Sequence, residues 1–557
     1  MRRRLAIFAV AAVGTVGLAP AAAAAPTTGR LLVTLDPAPA GTPVGRAAAG
    51  SIVTRADGRL AGARVPQLDL VTVRPEAGGS PAVLARELRA QPGIARVEVE
   101  HRAELRAVPN DPALVTPEPA AGAPRGTPVQ WWAQRQGLFA AWSVPQALDA
   151  TVAVIDSGVD AEHPDLAGRI RASVDNDQGA GHGPATVDET GHGTHVASLA
   201  CARADNAIGI AGAGYGCRLL VFKTDLTDSS VAASIVQATD QGADAINMSF
   251  GTDGEAAAPT VITEAIRYAY DHDVVLVAAA ADTPTEQQGY PADVLQPTGT
   301  GADLGQGLGL SVTAANFADQ KASFAGFGSQ VSLSAYGAWN TGVGGPRGLL
   351  GAFPAGTVDL ERPDPGPPPS GPCDCRSTFA GDSRYAYVQG TSMASPIVAA
   401  TAAMVRRLNP DLRAAEVIRL LKQTARRPAG AAWAPNLGWG ILDAGSAVGA
   451  ARLIDRRAPA TKVRVSRPRS STLTLRLVGV DRAPAGVLPS GIASFDVMRS
   501  IDGRRAKRIA RTAKRTVRLR VRRGPRYRFW AIATDRAGNR EAEPRRPDAR
   551  IRLAPAR

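Results

Sequence analysis

Three short stretches hold the residue types that acyl-transfer chemistry needs. TVAVIDSGVD puts Asp156 at the carboxyl end of an aliphatic run. GHGTHVASLA sets His192 between two glycines, with His195 close behind, where a small-residue helix begins. VQGTSMASPIVAATAAMV places Ser392 just after Gly390 at the start of an apolar helix. An acid can orient an imidazole, the imidazole can take a proton from a hydroxyl, and the hydroxyl so activated is a nucleophile. A serine at a helix N-terminus also lies beside backbone N–H groups free to hold a developing oxyanion. Taken alone, each stretch has a plainer use: an acid closing a strand, a buried structural His pair, a serine cap with Pro396 in the first helical turns. The three-residue spacing of His192 and His195 also suits a metal, but no acidic ligand sits at matching spacing. The other histidines are weaker candidates for a base. His101 lies in an N-terminal unit, His163 in EHPDL just past a strand, His182 in a glycine-rich loop, and His272 at the end of an amphipathic helix.

The elements that must position these residues follow from periodicity. From about Trp131 to Leu453, TVAVID, RLLVFK, DAINMSF, VVLVAAAA and LSVTAA read as strands buried on both faces. They alternate with helical patterns such as SSVAASIVQATDQG and PTVITEAIRYAYDH, the second with Ile262, Ala265, Ile266 and Ala269 on one stripe. This predicts an α/β fold, a parallel sheet covered by helices, with function at the carboxyl ends of the strands. Before it, RLLVTL, LDLVTV, SPAVLARELRAQPG and IARVEVE predict a small α+β unit over 26–107, and the Pro-, Ala- and Gly-rich residues 108–130 read as a linker. After about Ala458 the period changes to two, with turns at SIDG and DRAGN, which predicts an all-β sandwich over 458–557. The stretch PDPGPPPSGPCDC from Pro363 reads as an irregular surface insertion.

The chain has 557 residues, enough for several domains. Its start, MRRRLAIFAVAAVGTVGLAPAAAAAPTT, has a basic head, a short apolar run and a small-residue tract, which together predict a signal peptide over 1–25. The arginines serve as its ordinary positive region, with a twin-arginine route as the alternative. No later segment has the roughly 18 apolar residues of a membrane span, so the expectation is a secreted protein. Cys201, Cys217, Cys373 and Cys375 suit an oxidising compartment; Cys201 with Cys217 is the favoured pairing, and the spacing of the Cys373–Cys375 pair is too tight for zinc. Charge is uneven. Residues 458–557 hold 27 Lys and Arg against 7 Asp and Glu, whereas the whole chain carries +14, so the rest is slightly acidic. Such a module can bind an anionic surface or polymer, yet arginines alternating with apolar residues in TVRLRVRR also describe a solvated sandwich face, and a basic spacer is the favoured reading.

Taken together, DSGVDAEHPDL, GHGTHVAS and GTSMASP, in the order Asp, His, Ser, resemble the three catalytic blocks of the subtilisin-like serine peptidases (subtilases, family S8). INMSFG, YPAD and GWGILDAGSAV extend the likeness over roughly residues 130 to 453. The resemblance implies a peptidase domain over 131–453 that hydrolyses peptide bonds, with Ser392 as nucleophile, His192 as general base, Asp156 as orienting carboxylate and His195 as structural. It implies that Ser249, Phe250 and Gly251 pair with substrate backbone, and that 26–107 is an inhibitory prodomain removed near residues 105 to 130. The protein's partners are then a peptide substrate and its own prodomain.

Two positions depart from the family pattern. Most members end the strand matching VVLVAAAA with Gly-Asn, whose amide donates to the oxyanion; here the residues are Ala281 and Asp282. An ionised carboxylate only accepts hydrogen bonds, so activity is expected to be weakened, or favoured by acid if burial keeps Asp282 protonated. A catalytically impaired homologue that acts by binding is the alternative. Ser334-Ala335-Tyr336-Gly337 replaces a common Pro-Gly turn, a local change. The chemistry requires no cofactor. Asp165 and the loop ADNAIGI, with Asn206, resemble a calcium-binding loop of several subtilases, although the same residues serve ordinary loops.

Overall fold

The computed structural model describes residues 27–36, 50–101 and 108–554, apart from positions 52, 55, 66–67, 77–78, 178, 180–182, 253, 255, 363–371, 428–431 and 467–470. The expected signal peptide, His182 and most of the Pro363 insertion lie outside the described residues. The chain divides into two units, before and after Glu104.

In the first unit, β1 (Thr27–Leu35), β2 (Gly58–Val65), β3 (Leu70–Pro75) and β4 (Ile94–His101) form an antiparallel sheet in the order β2-β3-β1-β4. Leu31, Val33 and Leu35 alternate onto one face and share a core with Leu84 and Leu88 of helix α1 (Pro81–Arg89). This is the α+β pattern expected of 26–107.

The second unit is built on seven parallel strands. They are β5 (Thr151–Asp156), β6 (Ile170–Asp175), β7 (Arg218–Lys223), β8 (Ala245–Met248), β9 (Val275–Ala279), β10 (Gly309–Ala315) and β11 (Leu333–Tyr336), in the order β11-β10-β9-β8-β5-β7-β6. Both faces are covered. Val152, Val154, Leu219 and Val221 share a core with α2 (His192–Cys201) and α5 (Thr391–Leu408), while Ala153, Ile155, Leu220 and Phe222 share the opposite core with α3 (Asp228–Asp240) and α4 (Thr260–Asp271). Burial on two faces is why these strands read as continuous apolar runs. The winding reverses at β5, which lies between β7 and β8, and the crevice at its carboxyl end is the place such sheets offer a ligand.

A small antiparallel sheet of β12 (Leu349–Ala352), β13 (Arg376–Phe379) and β14 (Asp382–Val388) lies beside α2, and α6 (Ala414–Thr424) and α7 (Ala444–Ala451) follow α5. Residues 108–130, expected to be a linker, are instead folded into this unit. Ala113 and Leu114 are buried, Ala113 N–H donates to Gly209 O, and the Gln130 side chain bonds both backbone groups presented by Ala211. Proline-rich composition here marks chain without regular structure, not chain without packing. Two disulfides are present, Cys201–Cys217 as favoured and Cys373–Cys375.

The C-terminal region is a seven-stranded sandwich of two antiparallel sheets, as the period-two pattern predicts. One contains β15 (Ala460–Val465), β16 (Thr472–Val480) and β19 (Thr516–Arg520). The other contains β17 (Ile492–Ile501), β18 (Lys507–Thr512), β20 (Arg526–Asp535) and β21 (Ala549–Arg552). Leu473, Leu475, Leu477, Phe495, Tyr527 and Phe529 fill the space between. The arginines stand outward, with Arg526 opposite Arg552 and Arg528 opposite Arg550. Among the described residues no helix is long and apolar enough to cross a membrane.

Candidate active site

Asp156 is the last residue of β5, at the point where the winding of the sheet reverses, and is 5% exposed. Its Oδ1 accepts the Ser157 N–H at 2.8 Å and meets His192 Nδ1 at 2.7 Å. With Nδ1 committed to the carboxylate, Nε2 is the nitrogen left to exchange a proton. Burial of the His192 ring lowers its pKa, but the charge and hydrogen bond of Asp156, with Asp188 and Asp282 behind, outweigh this and hold it above the ordinary value.

Two glycines let the His192 helix start where it does. Gly191 has φ +86°, and a Cβ there would meet the Phe353 ring at 2.7 Å; a Cβ on Gly193 would stand 2.1 Å from Gly158 O and 3.2 Å from Asp156 Cβ. The first turn of α2 therefore lies directly on the Asp156 strand. The Gly193 N–H donates to the Ser157 hydroxyl oxygen (3.0 Å), and the Asp188 carboxylate accepts from Gly191 N (2.9 Å) and Thr194 N (2.8 Å) and from the Ser157 and Thr194 hydroxyls. Asp188 was not among the candidates from sequence; the signal is an acid four residues ahead of His192 in DETGHGT, a position able to cap the helix.

Ser392 is the second residue of α5, so its N–H has no acceptor within the helix. Pro396 lacks the N–H that would bond the carbonyl four residues earlier, which is that of Ser392. Ser249, just past β8, fills the gap: its Oγ donates to Ser392 O at 2.9 Å, while Ser392 Oγ donates to Ser249 O at 3.0 Å. Ser392 is thus clamped between the helix and the strand end. Its hydroxyl bonds Ser249 rather than His192, in keeping with apo sites whose catalytic bonds tighten only around substrate. Ser249→Ala should leave the Ser392 carbonyl unpartnered and destabilise the unit by about 1–3 kcal/mol. Urea unfolding of this variant in a Ser392→Ala background, where self-digestion is absent, measures the effect.

Asp282 lies beyond β9, facing the same helix end. Its Oδ1 accepts Thr391 N–H at 2.8 Å and the Thr391 hydroxyl at 2.9 Å; a Cβ on Gly390 would be 3.1 Å from Oδ2. The residue is exposed as a whole, yet protein surrounds its carboxyl group, and this desolvation raises the pKa against the Thr391 donors and the charge of His192, which lower it. The carboxylate therefore acts as a cap on the helix that carries Ser392.

Among the described residues, none bonds the backbone of Phe250 or Gly251, which leaves that edge open to an extended chain. His195 is fully buried, bonds Leu349 O and Ala386 O through Nε2, and is pushed down to about 4 by burial, which keeps it neutral. His163 bonds Arg384 O and the Asp165 N–H, and His272 bonds Tyr268 O. The Asp165 loop does not fit a calcium ion. Asp165 Oδ2 accepts the Tyr385 hydroxyl (3.0 Å) and Ile210 N–H (3.1 Å), and Asn206 turns its NH2 toward Oδ1 and its oxygen to Ile208 N–H. A calcium cage needs six to eight oxygens aimed at the ion. Burial raises Asp165 to about 6.

The model of the subtilase family matches residues 148–440, which contain Asp156, His192, Asp282 and Ser392. The chain is 32% identical over 348 residues to a thermophilic serine proteinase of Bacillus sp. (strain AK1), covering 59% of this chain and 71% of that protein. It is 30% identical over 274 residues to thermitase of Thermoactinomyces vulgaris, covering 48% and 77% of the two chains. It is 29% identical over 279 residues to subtilisin BL of Lederbergia lenta, covering 49% and 82%. With the parallel sheet, the Asp156–His192 contact and Ser392 at the helix start on the same scaffold, the chain belongs to the subtilase family.

Proposed function

We propose that the protein is a secreted serine endopeptidase made as a prepro-form. The observation that carries this reading is the 2.7 Å Asp156–His192 contact at the sheet's switch point, with Ser392 at the head of the buried helix beside it. His192 Nε2 takes the Ser392 proton as Oγ adds to the scissile carbonyl carbon, and the carbonyl π electrons move onto oxygen. The Ser392 N–H then stabilises that oxyanion. His192 returns the proton to the leaving amine as the C–N bond breaks, and a water repeats the sequence to release the acid and restore Ser392. Asp156 keeps Nδ1 protonated and stabilises the imidazolium that forms in each half-reaction. Ser249–Gly251 holds the substrate backbone.

In the same reading, 1–25 directs export, 26–107 inhibits and is cut away upstream of the buried residue Pro109, 131–453 is the peptidase, and 458–557 is a basic spacer able to rest on an anionic polymer. The two disulfides support an oxidising destination. Hydrolysis of an unfolded protein by the purified chain, lost in Ser392→Ala, tests the reading. The second reading, an impaired homologue that binds peptides, is favoured by Asp282 alone, because a charged carboxylate at the helix head opposes the oxyanion.

A further inference from the structure

The outer face of the sheet β15-β16-β19 concentrates positive charge with no acid to balance it. Along β16, Leu473, Leu475 and Leu477 are buried in the sandwich core, so Thr474 and Arg476 between and beside them point outward. The register sets Arg464 of β15 opposite Arg476 on one side, and on the other sets Thr516 and Arg518 of β19 opposite Arg476 and Thr474. Arg520 follows two residues beyond Arg518 on the same face. All four arginines are exposed. The three strands contain no Asp or Glu, and among the described residues none of the four arginines makes an ion pair. Lys462 continues the face toward its edge, where Asp548 offsets the charge. Like charges set opposite each other weaken a sheet, so the fold gains nothing from Arg464 facing Arg476. The outer face of the other sheet differs, because Arg508, Arg511 and Arg540 there surround the buried carboxylate of Asp496. Guanidinium forks grip phosphate oxygens in pairs, and the threonine hydroxyls opposite Arg476 and Arg518 can donate to the same groups. None of the three strands carries an aromatic residue, so the face has no ring on which a base could stack. Its outward apolar groups, Val478 and Val480, offer no bulky anchor for a lipid layer.

We propose that this face binds a linear polymer of repeating phosphodiesters that carries no bases, laid across Arg464, Arg476, Arg518 and Arg520. The inference sharpens the basic-spacer reading of 458–557 and does not depend on hydrolysis. The full chain with Ser392→Ala, in which self-digestion is absent, is titrated with fluorescently labelled, lipid-free poly(glycerol phosphate). Affinity should fall about tenfold or more between roughly 50 and 200 mM NaCl, because each neutralised phosphate releases a counterion. Replacing the four arginines by glutamine should weaken binding at about 50 mM NaCl by roughly tenfold or more. The thermal midpoint of that variant should stay at or above the parent's, because opposed like charges have been removed. The same replacement at Arg526, Arg528, Arg550 and Arg552 on the other sheet should cost about threefold at most, through the module's overall field alone. Absence of binding, or equal losses from the two sets of replacements, overturns the assignment of this face. Earlier unfolding of the first variant overturns it too, since the arginines would then serve the fold. Duplex DNA, phosphatidylglycerol vesicles and polyglutamate, compared at equal charge, decide the partner: tighter binding of any of these than of poly(glycerol phosphate) overturns the phosphodiester polymer. Failure of the unaltered protein to hydrolyse peptides would remove the peptidase reading and leave each of these outcomes as it stands.

Discussion

Replacing Ser392 by alanine should lower kcat by about 10⁶, to the floor of most peptide assays, with little change in peptide affinity. The loss is large because the three side chains act as one unit. Without Oγ there is no acyl intermediate, and His192, still held by Asp156, has only water to activate. His192→Ala should cost a similar factor, and the double variant hardly more than either alone, since each single change already breaks the relay. A second readout needs no substrate: if maturation depends on this chain's own site, Ser392→Ala should accumulate with residues 26–107 attached, visible as a larger band. A variant that keeps wild-type hydrolysis would remove the triad from the account.

Asp282→Asn should act in the opposite direction, raising kcat near neutral pH by about 100- to 1,000-fold. In subtilisin, removing one side-chain donor from the oxyanion site costs about that much, 2.7 to 4 kcal/mol. The replacement is nearly isosteric. Its oxygen can keep the two Thr391 bonds that Asp282 Oδ1 accepts, while its NH2 takes the place of Oδ2 beside Gly390 and can donate to the oxyanion. The pH profile carries the sign of the effect. The wild-type protein needs a proton on Asp282, whose pKa is raised by desolvation, and no proton on His192, whose pKa is raised by its acidic neighbours. These demands oppose each other, so wild-type activity should be confined to a narrow acidic window. The variant loses the first demand and also one of the charges that raise His192. Its activity should therefore rise at lower pH and stay level through neutrality. Equal rates for the two proteins across pH 4 to 9 would mean that Asp282 plays no part in the oxyanion site.

Much of this architecture is legible in the linear chain because it rests on local patterns. Runs such as TVAVID announce strands buried on two faces, and Gly-His-Gly and Gly-Thr-Ser announce helix starts. The anomaly at Asp282 is legible through the family resemblance, which sets an amide donor at the position where this strand ends in an acid. What escapes are contacts made by residues distant in sequence. Pro396 can be placed near a helix start, but nothing local says that Ser249 supplies the bond it omits. Asp188 looks like an ordinary loop acid until α2 is laid over β5. Residues 108–130 mislead because composition reports the lack of regular structure and is silent on burial. The Tyr385 hydroxyl on Asp165 comes from a strand far along the chain, so a loop that resembles a calcium site is filled by hydrogen-bond donors.

Covalent capture of the nucleophile tests the central claim most directly. A fluorophosphonate forms a stable ester only with a serine activated by a neighbouring base, and peptide mass mapping identifies the residue. The purified protein should be labelled once, at Ser392, and Ser392→Ala and His192→Ala should take up none. Label at another residue, or no label at any pH from 4 to 9, would contradict an acyl-transfer site built from Asp156, His192 and Ser392.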